Sequence, residues 1–445
     1  MKKQLLLLTA FLMLFIVSCK KDVLEEAQPV SQSFQLAFAT ESADLGLPFA
    51  NTELVLTNKA NGLVVKAKAD AKGLVNFSSV TPGNYSIVAS LLITAAEYSQ
   101  ITGAYTAEDV SFNASLEANI VTGTAVLPLT LKSGRLGNWL IKQIYYGGSS
   151  TTLGALYRDQ FVELFNNSNE VLYADGLCIS QLHGENTKTS SVDVTKATYL
   201  PNGQFNWLKS VGMVGTNANT DFVYGKTLFK IPGSGTQYPV QPGASIIIAQ
   251  NGQNHKSAYV GADGVAVSVR DPSLTIDLSK ADFEVYYGSI ASVNPLPSDA
   301  DNPLVPNVQV LLTGYIRDMI LNNNGYEAIV IFKPATDPLA WPKYTDPEEV
   351  TVTSASKLYL QIPTSAIIDG VEIMNTVASS RAAKRLPDGI DAGFTFTAAG
   401  AYSSQSVIRK TSKTLAGRKV LKDTNNSTQD FDYLTLADAT KTVFK

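Results

Sequence analysis

Short runs in which large apolar residues alternate with smaller or polar ones recur along most of the chain, and they predict β-strands. In Phe34–Phe38, bulky apolar side chains at every second position are separated by Gln35 and Ala37, as in a strand with one buried face. The continuous apolar run Ala244–Ala249 predicts another strand. Ser, Thr, Asn and Gly are frequent between such runs, which is typical of turns. The pattern therefore predicts an all-β protein.

The most strongly patterned stretch is Leu140–Ser180, which predicts three strands. The first two are Ile141–Tyr146 and Gln160–Phe165, and Glu170–Tyr173 leads into the third. Later runs predict further strands at Phe283–Tyr287, Val308–Leu312 and Ala328–Phe332. Helices are suggested only at Ile316–Leu321 and Pro347–Leu358.

The chain has 445 residues, more than a single hydrophobic core usually supports, so two or three domains are expected. The predicted segments are a signal peptide at 1–18, an acylated Cys with a tether at 19–33, a first β-sandwich at 34–131, a linker at 132–139 and a larger β-domain at 140–445. Two long insertions, 181–238 and 269–359, interrupt the larger domain. Gly134 and Gly137, together with the absence of an apolar pattern, predict a linker at this position.

The amino terminus has the pattern of a lipoprotein signal. Lys2 and Lys3 precede an apolar run at 5–17, and the small residue Ser18 stands directly before Cys19. The run is short for a transmembrane helix and ends at a cleavage pattern. We therefore predict that Cys19 is lipid-modified and anchors the protein to a membrane, because two or more acyl chains give stable anchoring. A plain secretory signal is the alternative.

The residues that follow Cys19 indicate the membrane to which the lipid-anchored protein is sent. Lys20 stands where the inner-membrane retention signal of enteric bacteria has Asp. Lys20-Lys21-Asp22, followed by Glu25-Glu26, resembles the export signals of Bacteroidota surface lipoproteins. The resemblance implies a lipid anchor in the outer membrane with the protein at the cell surface; the periplasmic face is the alternative.

Charge and cysteine content narrow the classes of partner. The net charge is −4 and no cluster of Lys and Arg is present, which argues against nucleic acid, because phosphate binding needs concentrated positive charge. If Cys19 is acylated, Cys178 has no partner for a disulfide. Its position in the apolar run Leu177-Cys178-Ile179 predicts a buried, unreactive thiol.

Three short motifs in the first predicted domain, Gly46–Ala50, Asp70–Gly73 and Pro82–Tyr85, occur in the order and spacing of a known family. This part of the chain resembles the carboxypeptidase regulatory-like (transthyretin-like) β-sandwich. The resemblance implies a rigid spacer or accessory module without catalytic residues.

The larger domain carries a second resemblance. Phe161–Ser168, Leu172–Leu177 and Val240–Gly243 are similar to the lamin-tail domain, an immunoglobulin-like β-sandwich, and a turn at Asp369-Gly370 continues the match. The whole arrangement resembles an uncharacterised Bacteroidota lipoprotein family built on this domain. The two insertions are longer than the loops of a plain lamin-tail sandwich.

Residues of catalytic type are few. His183 and His255 are the only histidines, neither lies in a zinc motif, and no nucleophile elbow accompanies them. Because both stand beside turn residues, we predict solvated loop histidines. Glu163 would face outward if Val162 and Leu164 face the core, and we expect a structural role for it, paired with a group such as Arg158 or a backbone amide.

Two Asp-rich segments could hold calcium, which binds hard oxygen ligands. The candidate ligands are Asp299 and Asp301 in one segment and Asp423 and Asp430 in the other. Neither segment has EF-hand spacing, and Asx-type turns are the alternative. No other cofactor is predicted.

The first insertion is rich in aromatic residues, among them Tyr199, Phe205, Trp207 and Tyr224. Exposed aromatics of this kind often form ligand surfaces, but they can equally pack a satellite core under a long loop. The leading hypothesis is a non-catalytic binding or accessory protein whose insertions recognise a nutrient, a glycan or an outer-membrane transport receptor. The alternatives are a hydrolase that uses loop carboxylates and a structural protein of the envelope.

Overall fold

The computed structural model describes residues 28–39, 42–102, 109–120, 125–133, 139–168, 170–415 and 417–445. The predicted signal peptide, Cys19, most of the tether and the middle of the linker lie outside these ranges. Almost all of the regular structure is β, as the hydrophobic pattern predicts. The chain is therefore an all-β protein.

The first β unit is a sheet in the order β3-β2-β5-β6-β7-β1-β4. Its elements are β1 (Val30–Phe38), β2 (Glu53–Asn58), β3 (Val64–Lys68), β4 (Leu74–Val80), β5 (Gly83–Ile93), α1 (Ala95–Thr102), β6 (Val110–Ile120) and β7 (Val126–Ser133). Strand β1 pairs in parallel with β7 and antiparallel with β4. Alternate residues of these strands, such as Phe34, Leu36 and Leu54, form one apolar core. The predicted tether is too long, because β1 begins at Val30.

The described residues of the second unit, 139–168, 170–415 and 417–445, form twenty strands. They are β8 (Trp139–Tyr145), β9 (Phe161–Asn166), β10 (Leu172–Tyr173), β11 (Cys178–Gln181), β12 (Phe222–Gly225), β13 (Thr227–Lys230), β14 (Pro239–Val240), β15 (Ser245–Ala249), β16 (Tyr259–Val260), β17 (Ala266–Val267), β18 (Phe283–Glu284), β19 (Gln309–Thr313), β20 (Glu327–Phe332), β21 (Lys343–Tyr344), β22 (Tyr359–Pro363), β23 (Ile367–Ile373), β24 (Ser406–Arg409), β25 (Thr411–Leu415), β26 (Arg418–Leu421) and β27 (Phe431–Leu434).

Helix is scarce in this second unit. Its described part has one short α-helix, α2 (Ser427–Asp430), and six single turns of 3-10 helix at Thr189–Ser191, Trp207–Lys209, Pro272–Leu274, Pro338–Ala340, Thr364–Ala366 and Ala378–Ser380. The helices suggested at Ile316–Leu321 and Pro347–Leu358 are wrong, since both segments are irregular. The sequence pattern also missed α1 in the first unit.

Two sheets of the second unit pack face to face. One has the order β18-β15-β9-β8-β24-β27 and the other β19-β13-β11-β20-β23. Ile144, Val162 and Ile248 of the first sheet meet Ile179 and Ile329 of the second in the main core. The outer face of each sheet is covered as well, by a smaller apolar core on either side. Strands β8, β9, β15 and β20 are therefore buried at every position.

This double coverage overturns the prediction that Glu163 faces outward. Glu163 is fully buried, and its carboxylate accepts hydrogen bonds from Lys142 Nζ at 2.9 Å and Gln143 Nε2 at 3.1 Å. Lys142 also donates to the carbonyl oxygen of Lys441 and lies 4.0 Å from the ring centroid of Phe444. The carboxyl-terminal segment thus covers a sheet face that strand alternation alone would leave in water. The role of Glu163 is structural, with Lys142 as partner instead of Arg158.

The predicted turn at Asp369-Gly370 is also wrong, because both residues lie within β23 and pair with β20. Gly370 is needed there for packing: a Cβ atom would lie 2.8 Å from Ile390 and 3.2 Å from both Leu386 and Val330. The Asp369 carboxylate instead accepts from the backbone N–H of Ile141 and from Arg409.

The two units meet through polar contacts. Asn113 Nδ2 donates to the carbonyl oxygen of Thr424 at 2.6 Å, and Asn425 Nδ2 donates to Ser111 Oγ at 2.8 Å. Gln429 Nε2 donates to Ser90 Oγ at 3.0 Å. The segment 424–429 therefore docks on the strands β5 and β6 of the first unit.

Candidate functional site

The two predicted insertions come together in the structure. Strand β12 of the first insertion pairs with β22, whose first residue ends the second insertion, and β22 pairs with β21. The resulting three-stranded sheet joins segments that lie more than a hundred residues apart in the chain. We call the surface around this sheet the insertion junction; it is formed by residues 182–225 and 338–363.

The predicted ligand-face aromatics form the base of the insertion junction. Tyr199, Phe205, Trp207 and Tyr224 are only 8%, 7%, 6% and 2% exposed. Trp207 and Tyr224 stack with ring centroids 3.5 Å apart and an interplanar angle of 9°. Of the two interpretations left open by the sequence, the satellite core is the one that the structure shows. The rings contact one another, so these four residues do not present an aromatic face.

His183 lies against this core instead of in solvent, so the prediction of a solvated loop histidine is wrong. Its ring stacks on Tyr359 with centroids 3.6 Å apart and an interplanar angle of 3°. Its side chain is 19% exposed, and Asp346 Oδ2 is 3.7 Å from its Nε2 atom, which has no hydrogen-bond partner. Flanking turn residues gave no sign of this packing, because Tyr359 and Asp346 belong to the other insertion.

Burial lowers the pKa of His183, and the nearby charges of Arg385 and Lys226 lower it further, while Asp346 opposes them. In turn, interaction with His183 lowers the pKa of Asp346. His183 is therefore a neutral imidazole beside a carboxylate at neutral pH. Such a pair can accept and donate hydrogen bonds at the edge of the surface.

Arg385 fixes the loop that carries His183. It donates to the carbonyl oxygen of Glu185 at 2.8 Å and forms an ion pair with buried Glu372 at 3.2 Å. Gly184 is required at this point, because a Cβ atom there would lie 2.7 Å from Arg385 Cγ. The Glu185 carboxylate accepts from the Tyr199 hydroxyl at 3.0 Å. The loop is thus held at both ends before any ligand binds.

Tyr315 stands on the rim with half of its surface exposed. Its backbone has φ of 62° and follows Gly314 at 70°, a left-handed conformation that is costly for a tyrosine. The Tyr315 hydroxyl donates to the carbonyl oxygen of Leu358, and the Leu358 N–H donates back to it. Its ring lies 6.5 Å from that of Tyr359. Tyr315 was not predicted as a site residue from the sequence. The available signal was the Gly314-Tyr315 pair directly after a strand.

Exposed aliphatic residues extend the insertion junction outward. Val214 is 80% exposed and Val350 87% exposed, and Leu208, Val211 and Val352 are exposed as well. Gly212 and Gly215 take positive φ, and a Cβ atom on either residue would meet open space. Val214 belongs to the first insertion and Val350 to the second, and the two insertions join in the sheet β12-β22-β21.

Nothing in the insertion junction points to catalysis. Within the described ranges, His183 has no serine, threonine or cysteine hydrogen-bonded to it. His255 is buried, its Nε2 lies 3.2 Å from the carbonyl oxygen of Asn251, and burial lowers its pKa to about 4. Cys178 is buried, and burial raises the pKa of its thiol to about 12, which leaves it unreactive.

The four predicted calcium ligands lie in two different settings. Arg409 Nη1 contacts Asp423 at 3.2 Å and Asp430 at 3.7 Å, so a guanidinium stands where the sequence suggested a metal. Asp299 Oδ2 accepts from the backbone N–H of Tyr287, and Asp301 Oδ1 accepts from Asn307 Nδ2. Among the described residues, no three carboxylate, imidazole or thiol groups are already arranged around one metal position.

The part of the chain that the structure describes has no helix of the length and hydrophobicity needed to cross a bilayer. Lipidation of Cys19 lies outside the described residues and stays a prediction.

The fold and the insertion junction define an all-β protein with a candidate binding surface. Residues 241–437 match the family model described as "Protein of unknown function (DUF4876)". The crystal structure of a DUF4876 family protein from Bacteroides thetaiotaomicron VPI-5482 is similar to this chain, with a TM-score of 0.51 and 25% sequence identity, covering 91% of this chain and 95% of that one. The likeness covers most of both chains, including the first β unit.

Two further solved structures show a weaker likeness. A candidate adhesin from Bacteroides ovatus ATCC 8483 has a TM-score of 0.20 and 13% identity, covering 52% of this chain and 86% of that one. A DUF3823 family protein from the same strain has a TM-score of 0.14 and 10% identity, covering 49% of this chain and 98% of its own. Likenesses this weak carry no conclusion about function. No curated protein matches the sequence.

Proposed function

We propose that this protein is a lipid-anchored, non-catalytic binding protein of the cell surface. The first β unit acts as a spacer between the membrane and the second unit, whose insertion junction contacts a partner. The observation that carries the proposal is the sheet β12-β22-β21, which fuses the two insertions into one surface on a rigid aromatic base. Binding surfaces are commonly loops held by such a scaffold.

The exposed side chains favour a protein partner. The side chains of Val214 and Val350 are almost fully exposed. Tyr315 adds an exposed ring whose hydroxyl donates a hydrogen bond to the carbonyl oxygen of Leu358. An aliphatic and aromatic patch on a preformed base supports protein contacts, because little ordering accompanies binding. An outer-membrane protein, such as a transport receptor, is the partner we propose; an extracellular glycan is the other candidate.

Site-specific photo-crosslinking in living cells tests the binding surface. A benzophenone side chain at position 214 or 350 should form a crosslink to an outer-membrane protein. Val126 is the matched control, because it is also an exposed valine but lies on the first β unit. Equal crosslinking at all three positions, or none at 214 and 350, would refute the proposed surface.

Anchoring is tested separately with Cys19→Ser. The wild-type chain should incorporate radiolabelled palmitate and sediment with membranes, and the variant should do neither. Protease added to intact cells should degrade the wild-type protein. Full protection from protease would place the protein on the periplasmic face instead.

A further inference from the structure

Buried polar residues gather where loops leave one end of the six-stranded sheet. Asp159 immediately precedes Gln160 and β9, and Gln250 follows β15; the N–H of Gln250 donates to the carbonyl oxygen of Gln160. We call the group around Tyr259 the Tyr259 cluster; its other members are Arg158, Asp159, Gln250, Asn251, Asp299 and Asp318. This cluster is separate from the insertion junction.

Hydrogen bonds tie the Tyr259 cluster together. Asn251 Nδ2 donates to the Tyr259 hydroxyl at 3.4 Å, and that hydroxyl donates to the carbonyl oxygen of Ser298 at 3.2 Å. Gln250 Nε2 donates to Asp318 Oδ2 at 2.8 Å. The charges of Arg158, Asp159, Asp299 and Asp318 all act on the Tyr259 phenol.

Several oxygens of this cluster have no hydrogen-bond partner although they are buried. They are Asp159 Oδ1, Gln250 Oε1, Asn251 Oδ1 and Asp318 Oδ1. Each of these side chains is at most 2% exposed. A buried acceptor without a partner is destabilising, and native structures normally satisfy it with protein, water or an ion.

Carboxyl groups outnumber basic groups in the cluster. Asp159, Asp299 and Asp318 are buried carboxylates, and Arg158 is the cluster's one basic side chain. Arg158 Nε is itself buried without a hydrogen-bond partner. Buried carboxylates are normally paired with cations or bound to metal. One positive group bound among the three carboxyl groups would satisfy the oxygens that have no hydrogen-bond partner.

We infer that the Tyr259 cluster is a binding site for a hard divalent cation, with Ca²⁺ as the best fit. Carboxylate oxygens of Asp318 and Asp299 would act together with the amide oxygens of Gln250 and Asn251. Ca²⁺ accepts such mixed sets of carboxylate, amide and carbonyl oxygens in flexible geometry. The amide oxygens are essential to the inference, because the carboxylates alone do not converge on one position. This site does not depend on the proposed surface function.

Terbium luminescence of the mature, full-length chain tests the site directly. Tb³⁺ occupies calcium sites, and excitation of a nearby tyrosine gives sensitised emission. The wild-type protein should show this emission, Ca²⁺ should displace the ion, and Mg²⁺ should displace it far less. Tyr259→Phe should lose most of the emission while equilibrium dialysis still finds Ca²⁺ bound.

Asp318→Asn should lose both the emission and the bound Ca²⁺. The matched control is Asp346→Asn, a carboxylate of the insertion junction, which should bind as the wild type does. Thermal unfolding of the wild type should also shift upward in about 1 mM Ca²⁺, within the range of extracellular calcium sites, relative to EGTA. Should dialysis find no Ca²⁺ on the wild type, the inference is wrong whether or not Asp318→Asn folds. Emission retained in both Asp318→Asn and Tyr259→Phe would place the ion elsewhere and overturn it too.

Discussion

The two β units of this chain bury polar groups in different ways. In the first unit, the buried side chains among the described residues are apolar or neutral, and none carries a charge. The second unit buries many ionisable side chains; they include Lys142, Asp159, Glu163, Asp175, Glu284, Asp318, Glu372, Asp391, Arg409 and Asp430. Both units are built almost entirely of β-strands, so the strands themselves do not explain the difference.

The irregular backbone of the second unit explains why it buries ionisable side chains. In the first unit, long paired strands satisfy their own N–H and C=O groups. In the second unit, buried carboxylates accept hydrogen bonds from loop N–H groups: Asp175 binds those of Gly235, Gln237 and Tyr238 at 2.8–3.0 Å. Glu372 does the same for Arg385 and Leu386. Buried charge is therefore the means by which this unit keeps long loops ordered.

The largest expected effect comes from removing the Arg409 guanidinium. Arg409→Met would leave Asp369, Asp423 and Asp430 buried without their main cation, at a cost of about 3–5 kcal/mol or more. The three tryptophans, Trp139, Trp207 and Trp341, all lie in the second unit, so tryptophan fluorescence during urea unfolding reports on that unit. The midpoint should fall sharply, and an unchanged midpoint would contradict this account of the second unit.

Truncation in the first unit should act through cavity formation alone. Phe34→Ala removes a fully buried ring that packs edge-on against Phe77, and we expect a loss of about 3–4 kcal/mol. Circular dichroism should show the loss, whereas the tryptophan signal should move only as far as the contacts between the units couple them. Gln35→Ala, at the exposed neighbouring position, is the control and should change stability by less than about 0.5 kcal/mol.

Acid should destabilise the second unit through His255. Burial lowers the pKa of His255 from 6.5 to about 4, with Arg158 adding to this and Asp277 opposing it. The unfolded chain therefore binds a proton first as the pH falls. The contribution of neutral His255 to the free energy of unfolding amounts to about 3 kcal/mol. It is fully present above pH 6.5 and is lost progressively between pH 6.5 and 4.

The difference between wild type and His255→Gln isolates this effect. Other groups titrate in the same range with the opposite sign; burial raises the pKa of Asp159 to about 7, so its contribution is lost as the pH rises from 4 toward 7. As the pH falls from 6.5 to 4, the free energy of unfolding of the wild type should decrease by about 3 kcal/mol more than that of His255→Gln. Parallel curves would mean that His255 is not buried as a neutral ring.

A smaller effect is expected where one carboxylate holds one loop. Asp175→Asn replaces an acceptor oxygen by an NH₂ group facing backbone N–H donors, and should cost about 1–3 kcal/mol. Hydrogen exchange should accelerate at Gly235, Gln237 and Tyr238 and stay unchanged in the first unit. Asp193→Asn, in an exposed turn, should leave both stability and exchange unaffected.

Much of the strand framework follows from the hydrophobic pattern. The runs at Ala244–Ala249 and Ala328–Phe332 coincide with β15 and β20 to within one residue, because continuous apolar runs leave few other structures open. The helix suggested at 316–321 failed because Met319 and Leu321 pack into the main core, whose other members lie far away in the chain. The segment 347–358 is irregular, and its Val350 and Val352 are exposed. The sequence also predicted both insertions that form the candidate site. It did not predict that strands from the two insertions pair in one sheet.

By itself, the sequence determined that this protein is β-rich, that its first unit has a simple apolar core, and that two long segments interrupt its second unit. These features depend on the local alternation of apolar and polar side chains, which a reader of the chain can see. Only the tertiary structure decided the positions of Glu163, His183 and the four aromatics of the first insertion. Their burial is set by residues such as Lys441, Tyr359 and Asp346 that are distant in sequence, and local pattern carries no information about such partners.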